Sequence, residues 1–217
     1  GAIAAAREQY AGEIGFQMML QYLFTRQRRA LKGYANERGI RIIGDIPIYV
    51  PRDSADVWSA PEQFLLDENY EPIEVAGCPP DGFSADGQLW GNPLYRWDAM
   101  KADGYRWWID RFRASAALYD VIRIDHFRGF DEYFSIPYEA ENAIGGHWEK
   151  GPGMDIFRTV KETLGDVKII AECFFQQHIV IFLAVMVAAV VFIGDHDVFL
   201  KITAVELSGD DAQLGVG

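Results

Sequence analysis

The chain has 217 residues, a formal net charge of −12, half of its residues apolar and 14% aromatic. That length suits one domain and falls short of the roughly 250 residues typical of a complete (β/α)8 barrel. The acidic balance argues against a nucleic-acid partner, because phosphate binding needs a basic surface, and it fits a soluble protein acting on a neutral ligand; the two cysteines, Cys78 and Cys173, read as reduced thiols in the cytoplasm.

The chain opens on Gly1, without an initiator Met or a basic signal-peptide flank, and so reads as an excerpt or a trimmed product. Gly15 to Arg38 carries Phe16, Met19, Leu20, Leu23, Phe24, Leu31 and Tyr34 at helical spacing. This predicts a long amphipathic helix whose stripe packs on the core, ended by Gly39. Arg41-Ile42-Ile43-Gly44-Asp45 then predicts a short strand ending in an acid. From Pro47 to Asp103 the chain is rich in Pro, Gly, Asp and aromatics with little regular pattern. A stretch that long predicts a functional excursion over one rim of the fold. Trp58, Phe83, Trp90 and Tyr95 lie in it. They are either sugar platforms or a satellite core, and Trp58 is read as core.

Tyr105 to Leu118 predicts a helix with Trp108, Phe112 and Ala116 on one face. It leads into Val121-Ile122-Arg123-Ile124-Asp125-His126-Phe127-Arg128-Gly129, an apolar strand ending in a carboxylate. Side chains alternate along a strand, so Arg123 and Asp125 point to one side. A guanidinium at that distance favours the ionised carboxylate. Such an Asp at a strand end serves as the nucleophile of glycoside-processing barrels, and equally as half of a structural ion pair. Asp155 to Leu164 predicts another helix, with Asp155 as a cap candidate and Gly165 as its stop. Lys168-Ile169-Ile170-Ala171-Glu172 is a third apolar strand ending in an acid. The helix–strand alternation predicts an α/β fold with a parallel sheet, whose strand-end acids converge on one rim.

Cys78 and Cys173 form no disulfide framework, no Cys or His pair has metal-ligand spacing, and no phosphate-binding loop is present. No cofactor is expected.

Several of these segments together resemble the 4-α-glucanotransferases (amylomaltases) of the α-amylase superfamily. The matching stretches include Gln21–Phe24, Ile42–Val50, Asp53–Trp58, Cys78–Ser84, Gly87–Tyr95, Val121–Gly129 and Trp148–Gly153. The resemblance runs from about Glu13 to Glu172. It implies a partial (β/α)8 barrel truncated at both ends, over residues 1–174, with a long active-site loop region. It implies Asp125 as nucleophile and Glu172 as general acid/base, acting on maltooligosaccharides and other α-1,4-glucans by a retaining double displacement. Gln88, Trp90, Asn92 and Tyr95 would contact substrate, and Arg123 and His126 would position donor and nucleophile. Asp45 would support the site. Lys168, four residues before Glu172, is too far to pair with it, so burial is expected to raise the pKa of Glu172. An α-glucan hydrolase or a non-catalytic glucan-binding remnant are the alternatives.

The family continues Ala171-Glu172 differently, and the likeness fades after Glu172. Ile179 to Ile193 is an apolar run of 15 residues, shorter than the about 20 needed for a membrane-spanning helix. Residues 175–217 therefore read as an anomalous tail, frame-shifted or joined in preference to a buried core segment, and that in preference to a membrane anchor. His196 and Asp197 faintly echo the family's third catalytic carboxylate, and an accidental acidic turn is the preferred reading of them. With barrel units absent at both ends, the chain alone is expected to be inactive or unstable.

Overall fold

A computed structural model describes residues 1–172. The elements in chain order are α1 (Ala2–Gln9), α2 (Ala11–Asn36), β1 (Ile43–Pro47), α3 (Ala55–Ser59), β2 (Glu74–Cys78), β3 (Gln88–Pro93), α4 (Trp97–Ala102), α5 (Arg106–Leu118), β4 (Val121–Asp125), β5 (Glu132–Pro137), β6 (His147–Lys150), α6 (Met154–Leu164) and β7 (Ile169–Ala171). They build a mixed α/β fold with two sheets. One is parallel, in the order β1-β4-β7; the other is antiparallel, in the order β3-β2-β5-β6.

Each parallel strand is entered from a helix, as the alternation of patterns predicts: α2 before β1, α5 before β4, α6 before β7. Along β4, Ile122 and Ile124 are buried at 1% and 0% exposure, while Arg123 and Asp125 alternate onto the other face. The buried face packs against α5 and α6 through Trp108, Phe112, Ile156, Phe157 and Val160. Gly39 and Gly165 take positive φ, 74° and 76°, and turn the chain after α2 and α6.

The antiparallel sheet gives the Pro47–Asp103 region more order than its composition suggests. It draws β2 and β3 from the excursion after β1, and β5 and β6 from the excursion after β4. Both excursions leave from the C-terminal ends of parallel strands, so the second sheet stands beside the rim where the strand-end acids lie.

Three expectations are corrected. The apolar stripe of α2 does not join the core: Phe16, Met19, Leu20, Leu23, Phe24, Leu31 and Tyr34 are all exposed, and Ala35 alone is buried in that helix. The reason is that α2 turns another face to the fold, the one carrying Thr25, Arg28, Lys32 and Ala35. Lys32 donates to the carbonyls of Ala116 and Tyr119, and Asn36 donates to Asp120, and the first turns extend past these anchors. Trp58 is not core either; it is 78% exposed. Asp155 lies inside the first turn of α6, whose cap position is Gly153. Its carboxylate instead accepts from the Tyr105 hydroxyl at 3.1 Å and pairs with Lys101 at 2.8 Å. The expectations for the tail, including His196 and Asp197, fall outside the described residues. Among those residues, no helix is long and apolar enough to cross a membrane.

Candidate active site

Strand register brings the acids together. Asp45 of β1 pairs with Arg123 of β4, and Pro47 pairs with Asp125. Ile124 pairs with Ala171 of β7, so Glu172 follows directly beside Asp125. The Glu172 backbone is tied into that edge at both ends: its N–H donates to Ile124 O at 3.1 Å, and its carbonyl accepts from Phe127 N at 2.8 Å.

Arg123 is the hub. Its Nη1 binds Asp45 Oδ1 at 2.6 Å, and its Nη2 reaches Asp125 Oδ1 at 3.2 Å and Glu172 Oε2 at 3.4 Å. Glu172 therefore does have a cationic partner, contrary to the expectation drawn from Lys168. Reach across strands supplies it, which spacing along one strand does not reveal. The pKa of Glu172 is nonetheless raised. Burial raises it most, the neighbouring Asp125 carboxyl adds to that, and the His126 N–H and Arg123 only partly offset them.

His126 follows the strand in the left-handed region, at φ 52° and ψ 46°, a conformation that costs a non-glycine residue about 1–2 kcal/mol. The turn aims its N–H at Glu172 Oε2, 3.5 Å away. Its imidazole is buried with Nε2 unpaired, and burial lowers its pKa to about 4, so the ring is neutral at pH 7. The Trp90 ring meets it edge-on, with centroids 4.8 Å apart at 89°. Trp90 Nε1–H donates to Gln88 Oε1 at 2.9 Å, which fixes the indole.

These groups border an open cleft of about 480 Å³, a size suited to a small ligand. Asp125, His126, Glu172, Gln88 and Trp90 line it. Asn92 does not, although it lies on the same strand as Gln88 and Trp90. Tyr95 is a core residue, 3% exposed. Its hydroxyl donates to Ile48 O at 2.6 Å and its ring stacks on Tyr49. The loop beyond β3 turns inward after Pro93, which carries Tyr95 away from the cleft.

Cys78, Asp81, Arg128 and Trp148 also line the cleft and were not anticipated as site residues. All four sit within the segments that carried the family resemblance, and that was their one available signal. Burial pushes the Cys78 thiol up to about 11, so it is not a nucleophile at neutral pH. Among the described residues, no group of His, Cys, Asp or Glu is arranged to hold a metal ion. The centre of the acid cluster is occupied by the Arg123 guanidinium.

The sequence profile of 4-alpha-glucanotransferases matches residues 1–174. The chain belongs to the 4-alpha-glucanotransferase family. The match reaches the first residue, further than the resemblance from Glu13 indicated. The 4-alpha-glucanotransferase of Streptococcus pneumoniae serotype 4 is 52% identical over 171 residues, covering 79% of this chain and 34% of that protein. That of Thermus thermophilus is 48% identical over 171 residues, with the same coverage of 79% and 34%. Among solved structures, the amylomaltase from Streptococcus agalactiae in complex with acarbose superposes with a TM-score of 0.78 at 46% identity, covering 82% of this chain and 36% of that one. The chain thus spans about a third of the length of the 4-alpha-glucanotransferases it matches.

Proposed function

We propose that this chain carries the nucleophile and the acid/base of a cytoplasmic 4-α-glucanotransferase that moves α-1,4-glucan segments between maltooligosaccharides. In this reading β1, β4 and β7 are units of a (β/α)8 barrel, and residues 1–174 are its catalytic portion. The carrying observation is that Asp125 and Glu172 share one guanidinium nitrogen at the C-terminal ends of adjacent parallel strands, the end at which barrel enzymes hold their chemistry.

Asp125 attacks the anomeric carbon of a bound glucan. The glycosidic C–O bond breaks as Glu172 gives its proton to the departing oxygen, leaving a glycosyl ester on Asp125. The raised pKa of Glu172 keeps that proton available. Glu172, now a carboxylate, takes the proton of an acceptor 4-hydroxyl, whose oxygen attacks the anomeric carbon; the bond from that carbon to Asp125 breaks and frees the carboxylate. Retention of configuration follows from the two displacements. Arg123 holds both carboxyl groups in place, and Asp45 holds Arg123. Neutral His126 borders the cleft and aims its backbone N–H at Glu172, and the Gln88-fixed indole of Trp90 offers an apolar face to a sugar ring. Transfer is preferred to hydrolysis because Gln88 and Trp90 furnish an ordered wall for a second sugar.

Incubation with maltotriose tests this. Transfer yields glucose together with longer maltooligosaccharides, and Asp125→Asn abolishes both. Glucose and maltose without longer products would mean hydrolysis, and glucan binding without new products would mean a binding remnant.

A further inference from the structure

Trp148 is unexplained by the mechanism above. It sits on β6, is 39% exposed, and borders the same cleft as Trp90. A half-exposed indole is expensive to hold in one orientation, yet this one is fixed from several sides. Phe134, its register partner on β5, meets it in a T-shaped contact with centroids 5.3 Å apart. The Arg128 guanidinium lies over its ring, 4.0 Å from the centroid, a cation–π contact. Arg128 is in turn held by Glu132 at 3.5 Å, and Glu132 binds Lys150 at 2.6 Å. Glycines bracket the strand. A Cβ at Gly146 would stand 2.3 Å from the Phe134 ring, and one at Gly151 would stand 2.3 Å from Phe130 O. The strand thus lies closer to its neighbours than any other residue would permit at either end.

Trp90 and Trp148 lie on β3 and β6, the two outer strands of the antiparallel sheet. Three inter-strand spacings separate those backbones, about 14 Å along the sheet, so the two indoles reach the cleft from opposite edges of that sheet.

We infer that Trp148, clamped by Arg128, is a second sugar platform in the cleft, binding a unit of the glucan chain remote from the one at Trp90. The exposed part of the indole takes the apolar C–H face of that unit, and the spare N–H groups of Arg128 take its hydroxyls. Trp148 is accordingly a positioning residue that selects for longer glucans. The inference rests on the glucan reading of the cleft.

The full chain labelled with fluorotryptophan gives one fluorine resonance for each of its six tryptophans, assigned by single Trp→Phe variants. Maltoheptaose is expected to shift the Trp90 and Trp148 resonances and leave that of the fully buried Trp108 in place. Trp148→Ala is expected to weaken maltoheptaose binding about tenfold and to leave maltose binding, read at the Trp90 resonance, unchanged. An unmoved Trp108 resonance in that variant certifies the fold. A shift at Trp90 without one at Trp148 overturns the second platform and leaves the proposed function intact. Equal weakening of maltose and maltoheptaose binding by Trp148→Ala overturns it too. No shift at either indole overturns the glucan reading and the platform together.

Discussion

Asp45 holds Arg123 by its Nη1 at 2.6 Å and leaves Nη2 to face the two strand-end carboxylates. A planar guanidinium gripped on one side presents its other side in a fixed direction. Asp45 thus acts on the site at one remove, through the orientation of Arg123.

Asp45→Asn is therefore expected to lower kcat by on the order of ten- to a hundredfold through misplacement of Arg123. Asp45 is well exposed, so its pair contributes little to folding, and the change in stability should stay within about 0.5 kcal/mol. Steady-state kinetics beside chemical denaturation separate the two effects. A large loss of stability would instead make Asp45 a structural residue.

Glu172 should respond in opposite directions to its two neighbours. Burial and the Asp125 carboxyl raise its pKa while Arg123 lowers it. Arg123→Gln is expected to move its titration midpoint up and Asp125→Asn to move it down, read from the carbon-13 shift of the Glu172 carboxyl. In the unmodified chain the protonated fraction declines as pH rises through that raised value, so activity should fall on the alkaline side with the same midpoint.

His126 makes the fold acid-sensitive. Its folded pKa lies near 4, against an unfolded value of about 6.5, because burial disfavours the charged ring. Below the unfolded value the unfolded chain binds more protons, so the contribution to stability is full above about pH 6.5 and declines as pH falls toward 4. His126→Asn should flatten that part of the stability–pH curve, measured by urea denaturation across the range. An unchanged slope would mean that other groups carry it.

Tyr95→Phe should leave glucan binding untouched. It removes a buried hydroxyl that donates to Ile48 O at 2.6 Å, at a cost of about 1–2 kcal/mol in stability. A weakened affinity at unchanged stability would return Tyr95 to the site.

The case of Tyr95 also shows what was legible in the sequence. Short apolar runs mark β1, β4 and β7, and they put Asp125 and Glu172 at strand ends, because strand formation there is a local matter of pattern; Asp45, expected to end its strand, lies instead in the middle of β1. Whether a residue just past a strand turns toward a cleft or into a core depends on neighbours far along the chain. Tyr95 meets Tyr49, Phe64 and Trp108, all distant in sequence. The contact between Arg123 and Glu172 escapes for the same reason, since it exists only once β4 and β7 are in register. The Trp148 strand pairs with β5, which in turn pairs with β2, so its arrival at the cleft needs the whole second sheet. The stripe on α2 has ordinary core periodicity and is exposed, because periodicity describes a face and says nothing of what covers it.

The most direct test of the account is covalent capture on Asp125. The Glu172→Gln variant is incubated with a 5-fluoro-α-glucosyl fluoride, whose fluoride departs without acid assistance, so that the ester forms and then lacks the base that would release it. The account predicts a stable adduct on the intact chain, and peptide mapping that places the sugar on Asp125. An adduct on another residue, or none while Trp90 still reports glucan binding, would contradict it.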